Sequence, residues 1–145
     1  MRPRLLCCVA ILSVATYSCS ETSAKASPAD VIKKYERFVL EMMADSIAQL
    51  FTADAEIGHE GQPAVKGRDS IYSFLSSFKN VRVLNNRDEI TTSSIRDDSA
   101  TVNGGYAQTV IVSGKDTVNV AGKFTATMVR DKNNWLISEM KTRSN

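Results

Sequence analysis

The spacing of apolar residues predicts a helix at the start of the folded region. Ser27 is expected to cap it, Pro28 suits its first turn, and Asp30 complements the positive end of the helix dipole. Its single apolar stripe consists of Val31, Tyr35, Phe38, Val39 and Met42.

Two further helices follow from the same kind of pattern. A short one is expected with Asp45 as its cap, burying Ile47, Leu50 and Phe51. A third is predicted to open at Gly67-Arg68-Asp69-Ser70. Its inner face would consist of Ile71, Phe74, Leu75 and Phe78.

A strand carrying His59 is predicted between the second and third helices, and from residue 81 onward the hydrophobic period changes to two. Turn signals separate four expected strands, at about residues 81–95, 100–113, 117–130 and 134–142. Gly104, Gly105 and Gly122 mark places where a strand would bend or bulge. Helices followed by a meander predict an α+β fold, with three N-terminal helices packed on a strongly curved antiparallel sheet that forms a cone.

The first nineteen residues have the pattern of an export signal rather than of a folded domain. Arg2 and Arg4 precede an apolar run over residues 5–15, which is too short to span a bilayer. Thr16-Tyr17-Ser18-Cys19 resembles the lipobox of bacterial lipoproteins, which implies lipidation of Cys19. Alternatively, Ala24-Lys25-Ala26 is a cleavage site for soluble secretion. We therefore expect a signal at 1–19, a polar tether at 20–27 and one domain at 28–145. The expected location is the cell envelope, with the outer membrane favoured; the alternative is a soluble periplasmic or secreted protein.

Composition excludes several classes of function. Without Arg2 and Arg4 the 18 basic residues become 16, equal to the 16 acidic ones, so nucleic acid is not an expected partner. The cysteines are Cys7, Cys8 and Cys19, so the domain has no disulfide and no thiolate metal site. Because the chain has a single histidine, the one kind of metal site that the composition does not exclude is calcium bound by carboxylates. No cofactor-binding motif is present.

The order of these elements resembles the nuclear transport factor 2-like superfamily, which includes SnoaL-like and ketosteroid-isomerase-like proteins with an α+β cone fold. The resemblance rests on the Tyr35 helix, the junction Leu50-Phe51-Thr52-Ala53-Asp54-Ala55, the segment 65–71 that opens the third helix, and the ending Asn134-Trp135-Leu136-Ile137. It covers nearly all of residues 28–142. Because this fold serves isomerases, dehydratases, cyclases, epoxide hydrolases and transport adaptors alike, it does not by itself assign an activity.

The ketosteroid isomerases of this superfamily imply three functional positions. Their catalytic base corresponds to His59, their oxyanion-hole tyrosine to Tyr35, and their second oxyanion donor to Gly122, which has no side chain. His59 is thus a candidate general base, since imidazole titrates near neutral pH; the alternative is a hydrogen-bonded histidine at the rim. Tyr35 is a candidate hydrogen-bond donor, or simply part of the apolar stripe. The predicted cavity lining comprises Tyr35, Phe38, Ile57, His59, Phe74, Tyr106, Val120, Gly122 and Phe124.

Three functions follow from this reading. The first is binding of a small, largely apolar molecule in the cone without a reaction. The second is an isomerase-, cyclase- or dehydratase-type enzyme with His59 as base. The third is a dimeric interaction module that uses the outer face of the sheet. A homodimer is expected, and the membrane is expected to be contacted only through the lipid anchor.

Overall fold

The computed structural model describes residues 26–145 and begins with the helix expected from the sequence. Helix α1 spans Pro28–Leu40. The Asp30 backbone N–H donates to Ser27 Oγ at 3.3 Å, and the Ser27 N–H donates to Asp30 Oδ2 at 2.9 Å, forming a reciprocal capping box. These bonds lower the pKa of the Asp30 carboxyl. The capping signal in the sequence is therefore confirmed.

The other two helices differ from expectation in their details. Helix α2 spans Ala44–Ala48 with Met43 at its cap, so Asp45 lies in the first turn instead of capping. Helix α3 spans Arg68–Ser76 and starts at Gly67, whose φ of 86° is in the region that favours glycine. Of the predicted inner face, Ile71 is fully buried, whereas Phe74 and Phe78 are 42% and 40% exposed. That part of the prediction is wrong because both phenylalanines extend past the core to solvent.

Six strands form one curved sheet. They are β1 Phe51–His59, β2 Val65–Lys66, β3 Val81–Arg96, β4 Ser99–Val112, β5 Asp116–Asp131 and β6 Asn134–Ser144. Their order is β2-β1-β6-β5-β4-β3. The predicted strands β3 to β6 are confirmed to within a few residues. Two features were not anticipated: the short strand β2, and the parallel pairing of β1 with β6 in an otherwise antiparallel sheet.

Irregular register in β3 decides which of its side chains face the helices. The pairing with β4 shifts between Val83 and Asn85, and again between Ile90 and Thr92. After the first shift, Asp88 lies opposite Tyr106, on the face that packs against the helices. Of the glycines at which a bend or bulge is expected, Gly104 lies opposite the second register shift of β3. Between β4 and β5, the strands pair without a shift through Gly104, Gly105 and Gly122.

Two of these glycines make room for aromatic rings on the neighbouring strand. A Cβ on Gly104 would stand 2.6 Å from the ring of Phe124, which lies directly opposite. A Cβ on Gly122 would stand 2.8 Å from the ring of Tyr106, again the residue directly opposite. Because real Cβ atoms do not approach other atoms so closely, each glycine is needed for its partner ring to lie across the strand.

The core lies between the helices and the inner face of the sheet. Its largest fully buried side chains are those of Phe51, Ile32, Ile71, Met128, Ile137 and Val102. Arg68 at the start of α3 donates from Nε to the Phe51 carbonyl oxygen at 2.9 Å and so ties α3 to β1. Trp135 is buried, and the Arg130 guanidinium carbon lies 4.3 Å from the centroid of its ring. Along the chain, the buried residues range from Pro28 to Met140.

The expected signal at 1–19, with Cys19, and most of the tether at 20–27 lie outside the described residues. Within residues 26–145, none of the helices has the length and apolar character needed to cross a bilayer.

Candidate functional site

A cavity of two adjoining lobes lies between the helices and the concave face of the sheet. The mouth lobe has a volume of about 480 Å³, and its apolar lining includes Met42, Phe74, Leu75, Phe78, Val110 and Val112. The deep lobe has a volume of about 230 Å³ and includes Ile32, Asp88, Tyr106, Val120, Phe124 and Met140. Tyr35, Val39, Gln108 and Thr142 line both lobes, so the two adjoin. Their sizes suit a small organic ligand.

Tyr35 reaches the cavity from the middle of α1. Its ring packs edge-on against Phe51, with 6.3 Å between ring centroids and 73° between the ring planes. Burial raises the pKa of the Tyr35 hydroxyl, and the nearby Asp88 and Tyr106 raise it further. The hydroxyl therefore stays protonated and can serve as a hydrogen-bond donor over the whole physiological range.

Asp88 is the unexpected group in the deep lobe. Burial raises the pKa of its carboxyl to about 7, and the negative charge of Glu36 adds to the shift. No hydrogen bond to the carboxyl contributes to this pKa. A carboxyl with this pKa is about half protonated at neutral pH, so that it can donate a hydrogen bond as well as accept one.

Tyr106 completes a group of three oxygen-bearing side chains. It faces Asp88 directly across the β3–β4 pairing, and burial raises the pKa of its hydroxyl. Its ring lies over Gly122, so that its hydroxyl comes within 2.8 Å of the point where a Gly122 Cβ would stand. Tyr35, Asp88 and Tyr106 are called the donor group below.

His59 lies at the mouth, at the end of β1. Its Nδ1 is 3.0 Å from Thr142 Oγ1, and the Thr142 hydroxyl in turn donates to the Gly58 carbonyl oxygen at 3.3 Å. A hydroxyl has only one proton, so when the Thr142 hydroxyl donates to Gly58, the proton of the first bond comes from Nδ1. Nε2 is then the basic nitrogen, with the Ser144 hydroxyl 3.4 Å away. Thr142 thus orients the ring, as a positioning partner does for a general base.

The structure places seven of the nine predicted lining residues in the cavity. Tyr35, Ile57, His59 and Phe74 line the mouth lobe, and Tyr35, Tyr106, Val120 and Phe124 line the deep lobe. Phe38 and Gly122 do not line either lobe. Phe38 packs against the core with the Arg37 guanidinium 4.9 Å above its ring, and the ring of Tyr106 covers Gly122.

Sequence reasoning missed Asp88 because it lies between Arg87 and Glu89, in a run typical of a solvated strand. The regular alternation from Val81 and Val83 would have turned Arg87 inward. The register shift after Val83 reverses this, and only the pairing with β4 reveals it.

A groove of about 580 Å³ adjoins the mouth lobe, with which it shares Gly58, His59, Gln62 and Thr142. Its lining also includes Lys123, Lys141 and Arg143. Its polar rim lacks the enclosed apolar walls of the cavity. Within residues 26–145, no cluster of three His, Cys, Asp or Glu side chains is placed to hold a metal ion.

A family model for the SnoaL-like domain matches residues 20–141. The chain belongs to this family.

Solved structures agree on the fold. A ketosteroid isomerase-like protein from Erwinia carotovora atroseptica superposes with a TM-score of 0.74 at 16% identity, covering 85% of this chain and 97% of that one. A nuclear transport factor 2-like protein with a cystatin-like fold from Novosphingobium aromaticivorans gives 0.62 at 16% identity, covering 79% and 77%.

A conserved protein from Planctomyces limnophilus gives a TM-score of 0.74 at 13% identity, covering 81% of this chain and 92% of that one. No curated protein matches this SnoaL-like chain at a significant level. At these identities the solved structures establish the fold, and the expected superfamily and α+β class are confirmed.

Proposed function

We propose that this SnoaL-like protein binds a small, largely apolar molecule that carries one neutral oxygen acceptor, such as a ketone. The observation that carries the proposal is the division of the cavity into an apolar mouth lobe and a deep lobe that holds the donor group. The apolar body of the ligand would fill the mouth lobe, and its oxygen would accept hydrogen bonds from Tyr35, Tyr106 and protonated Asp88.

The charge of the cavity favours a neutral ligand over an anionic one. Neither lobe is lined by a lysine or arginine among the described residues. A ligand carboxylate would therefore be buried beside Asp88 and near Glu36 without a compensating cation, which is costly. A ketone or an alcohol has no such penalty.

A matched pair of ligands tests this. We expect 2-acetylnaphthalene to bind at least tenfold more tightly than 2-naphthoate at pH 6, measured by ligand fluorescence, because the two share a ring system and differ in charge. Equal affinity, or tighter binding of the carboxylate, would contradict the proposal. Native mass spectrometry of gently purified protein would reveal a ligand that co-purifies.

An enzyme of the isomerase type is the second candidate, and one observation favours it. The Thr142 hydroxyl lies 3.0 Å from His59 Nδ1 and orients the imidazole ring, and His59 lines the same mouth lobe that Tyr35 reaches. A base at the mouth and proton donors at the deep end are the two components that proton transfer next to a carbonyl requires. The exchange experiment in the Discussion separates this candidate from simple binding.

We also propose that the chain is exported and lipid-anchored at Cys19. The basic start, the apolar run and the segment Thr16-Tyr17-Ser18-Cys19 support this. Metabolic labelling with a clickable fatty acid should mark the parent protein and a Cys8→Ser variant but not Cys19→Ser. An unlabelled parent, cut after Ala26, would instead indicate soluble secretion.

A further inference from the structure

The mouth of the cavity is edged by apolar side chains that remain exposed to solvent. Phe74 and Phe78 are 42% and 40% exposed, and Met42 is 36% exposed, although all three line the mouth lobe. Phe74 and Phe78 pack edge-on with 5.0 Å between their ring centroids, which holds them as one unit. These three residues are called the apolar rim. An exposed patch of this kind at a cavity entrance marks an interaction surface.

The segment that carries most of the rim is also basic. Residues 74–82 include Lys79 and Arg82 and contain no acidic residue. The Ser113 N–H donates to the Asn80 carbonyl oxygen at 2.7 Å, which brings the turn containing Lys115 beside this segment. Aromatic side chains next to exposed cations are the composition that favours the surface of an anionic bilayer.

The charges also argue against a second copy of the chain at this surface. In a two-fold symmetric contact centred on residues 74–82, Lys79 and Arg82 would face the same cations of the other copy. Glu41 and Asp45 lie on the α1–α2 side, and Asp116 directly follows Lys115 at the start of β5, so the positive charge of the α3–β3 side comes from residues 74–82. The α3–β3 side is therefore the one suited to anionic lipid headgroups.

We propose that the apolar rim docks on an anionic lipid bilayer, so that an apolar ligand passes between the bilayer and the cavity without crossing water. This goes beyond a lipid anchor as the only membrane contact. It does not depend on the identity of the ligand, since docking is measured with vesicles alone and ligand binding is measured without them.

Vesicle flotation with the chain that begins at residue 20 tests the docking step. We expect this chain to float with vesicles of phosphatidylcholine and phosphatidylglycerol at a 3:1 ratio, and at least tenfold less with phosphatidylcholine alone. A Phe74→Ser/Phe78→Ser double variant should lose at least nine-tenths of the bound fraction. The control is Ile95→Ser/Val129→Ser, which removes two apolar side chains of 53% and 37% exposure elsewhere on the sheet. It should float like the parent.

A second measurement reports where the protein touches the bilayer. Trp135 is the single tryptophan and is buried, so a Phe78→Trp variant adds one exposed reporter. Brominated lipids should quench Phe78→Trp and leave Ile95→Trp unchanged. The proposal is overturned if the parent does not float with anionic vesicles, or if the rim variant and the control float alike. A concentration-dependent dimer that the rim variant abolishes, without vesicle binding, would assign the surface to a second copy and would also overturn it.

Discussion

The Tyr106 hydroxyl lies 2.8 Å from the point at which a Cβ on Gly122 would stand. In the comparison with ketosteroid isomerases, Gly122 occupied the position of a missing hydrogen-bond donor. The structure places a donor there from the neighbouring strand, because the ring of Tyr106 crosses over the glycine that it faces. Because Gly122 has no side chain, the Tyr106 ring can occupy this position and complete the donor group.

Gly122→Ala should destabilise the fold and displace Tyr106. The new Cβ would overlap the Arg143 carbonyl oxygen and the Tyr106 ring, and overpacking of this kind costs about 2 kcal/mol or more. Gly105→Ala is the matched control, because its Cβ would meet only the Gly122 carbonyl oxygen at 3.5 Å. Urea denaturation checks both. A Gly122→Ala variant as stable as Gly105→Ala would contradict the close approach.

Asp88→Asn should stabilise the protein at high pH only. The carboxyl has a pKa of about 7 when folded against an ordinary value of 3.8, so the unfolded state loses its proton first as pH rises. Parent stability should thus fall between pH 4 and pH 7 and then level off. At pH 8 the variant should be more stable by about 2 kcal/mol, after allowance for the partial exposure of Asp88, and at pH 4 the two should be nearly equal.

Urea titrations at pH 4, 6 and 8 measure the effect of Asp88→Asn. Glu89→Gln is the control, since Glu89 is exposed and adjacent in sequence, and its stability curve should run parallel to that of the parent. Parallel curves for Asp88→Asn and the parent would show that Asp88 is not held in a buried, protonated state.

Tyr35→Phe should weaken binding of 2-acetylnaphthalene about fivefold to tenfold, because one hydrogen bond to the ligand oxygen is worth about 1 kcal/mol. Tyr72→Phe also removes a tyrosine hydroxyl, but Tyr72 is 45% exposed on α3 and does not line either lobe. Its affinity should equal that of the parent in a fluorescence titration. Equal losses in the two variants would point to a general effect and not to the donor group.

His59→Gln tests the enzyme candidate. If His59 is a general base, the parent should accelerate exchange of the α-protons of 1-tetralone in D₂O, and the variant should reduce the acceleration by about 100-fold or more. NMR follows the exchange, while a binding titration should show affinity within about threefold of the parent. If the parent binds 1-tetralone but does not accelerate the exchange, the enzyme candidate is wrong and the binding function is the one that is supported.

Local signals in the sequence were sufficient for much of the fold. The capping box at Ser27 and Asp30, and the alternation from Val102 to Val112 that buries one face of β4, depend on neighbours in the chain. Helical periodicity also grouped Phe74 and Phe78 with Ile71, but it cannot tell a side chain under the sheet from one at an open mouth. Only the packing of α3 decides that.

The candidate site was predictable only in part. Tyr35 and His59 were identified through the resemblance to ketosteroid isomerases, and both line the cavity. Asp88 was not, because the register shift between Val83 and Asn85 reverses the faces of the residues that follow it, up to the second shift after Ile90. Thr142, the partner of His59, lies 83 residues away, beyond the reach of local pattern.

The parallel pairing of β1 with β6 has a consequence for the order of folding. Phe51 pairs with Ile137, and the last strand lies inside the sheet between β1 and β5. The sheet therefore cannot be completed until almost the whole domain is available, and such long-range contacts slow folding. The residues that line the cavity would therefore come together only after β6 has been added to the sheet. The protein would become able to bind its ligand in the same step that completes folding.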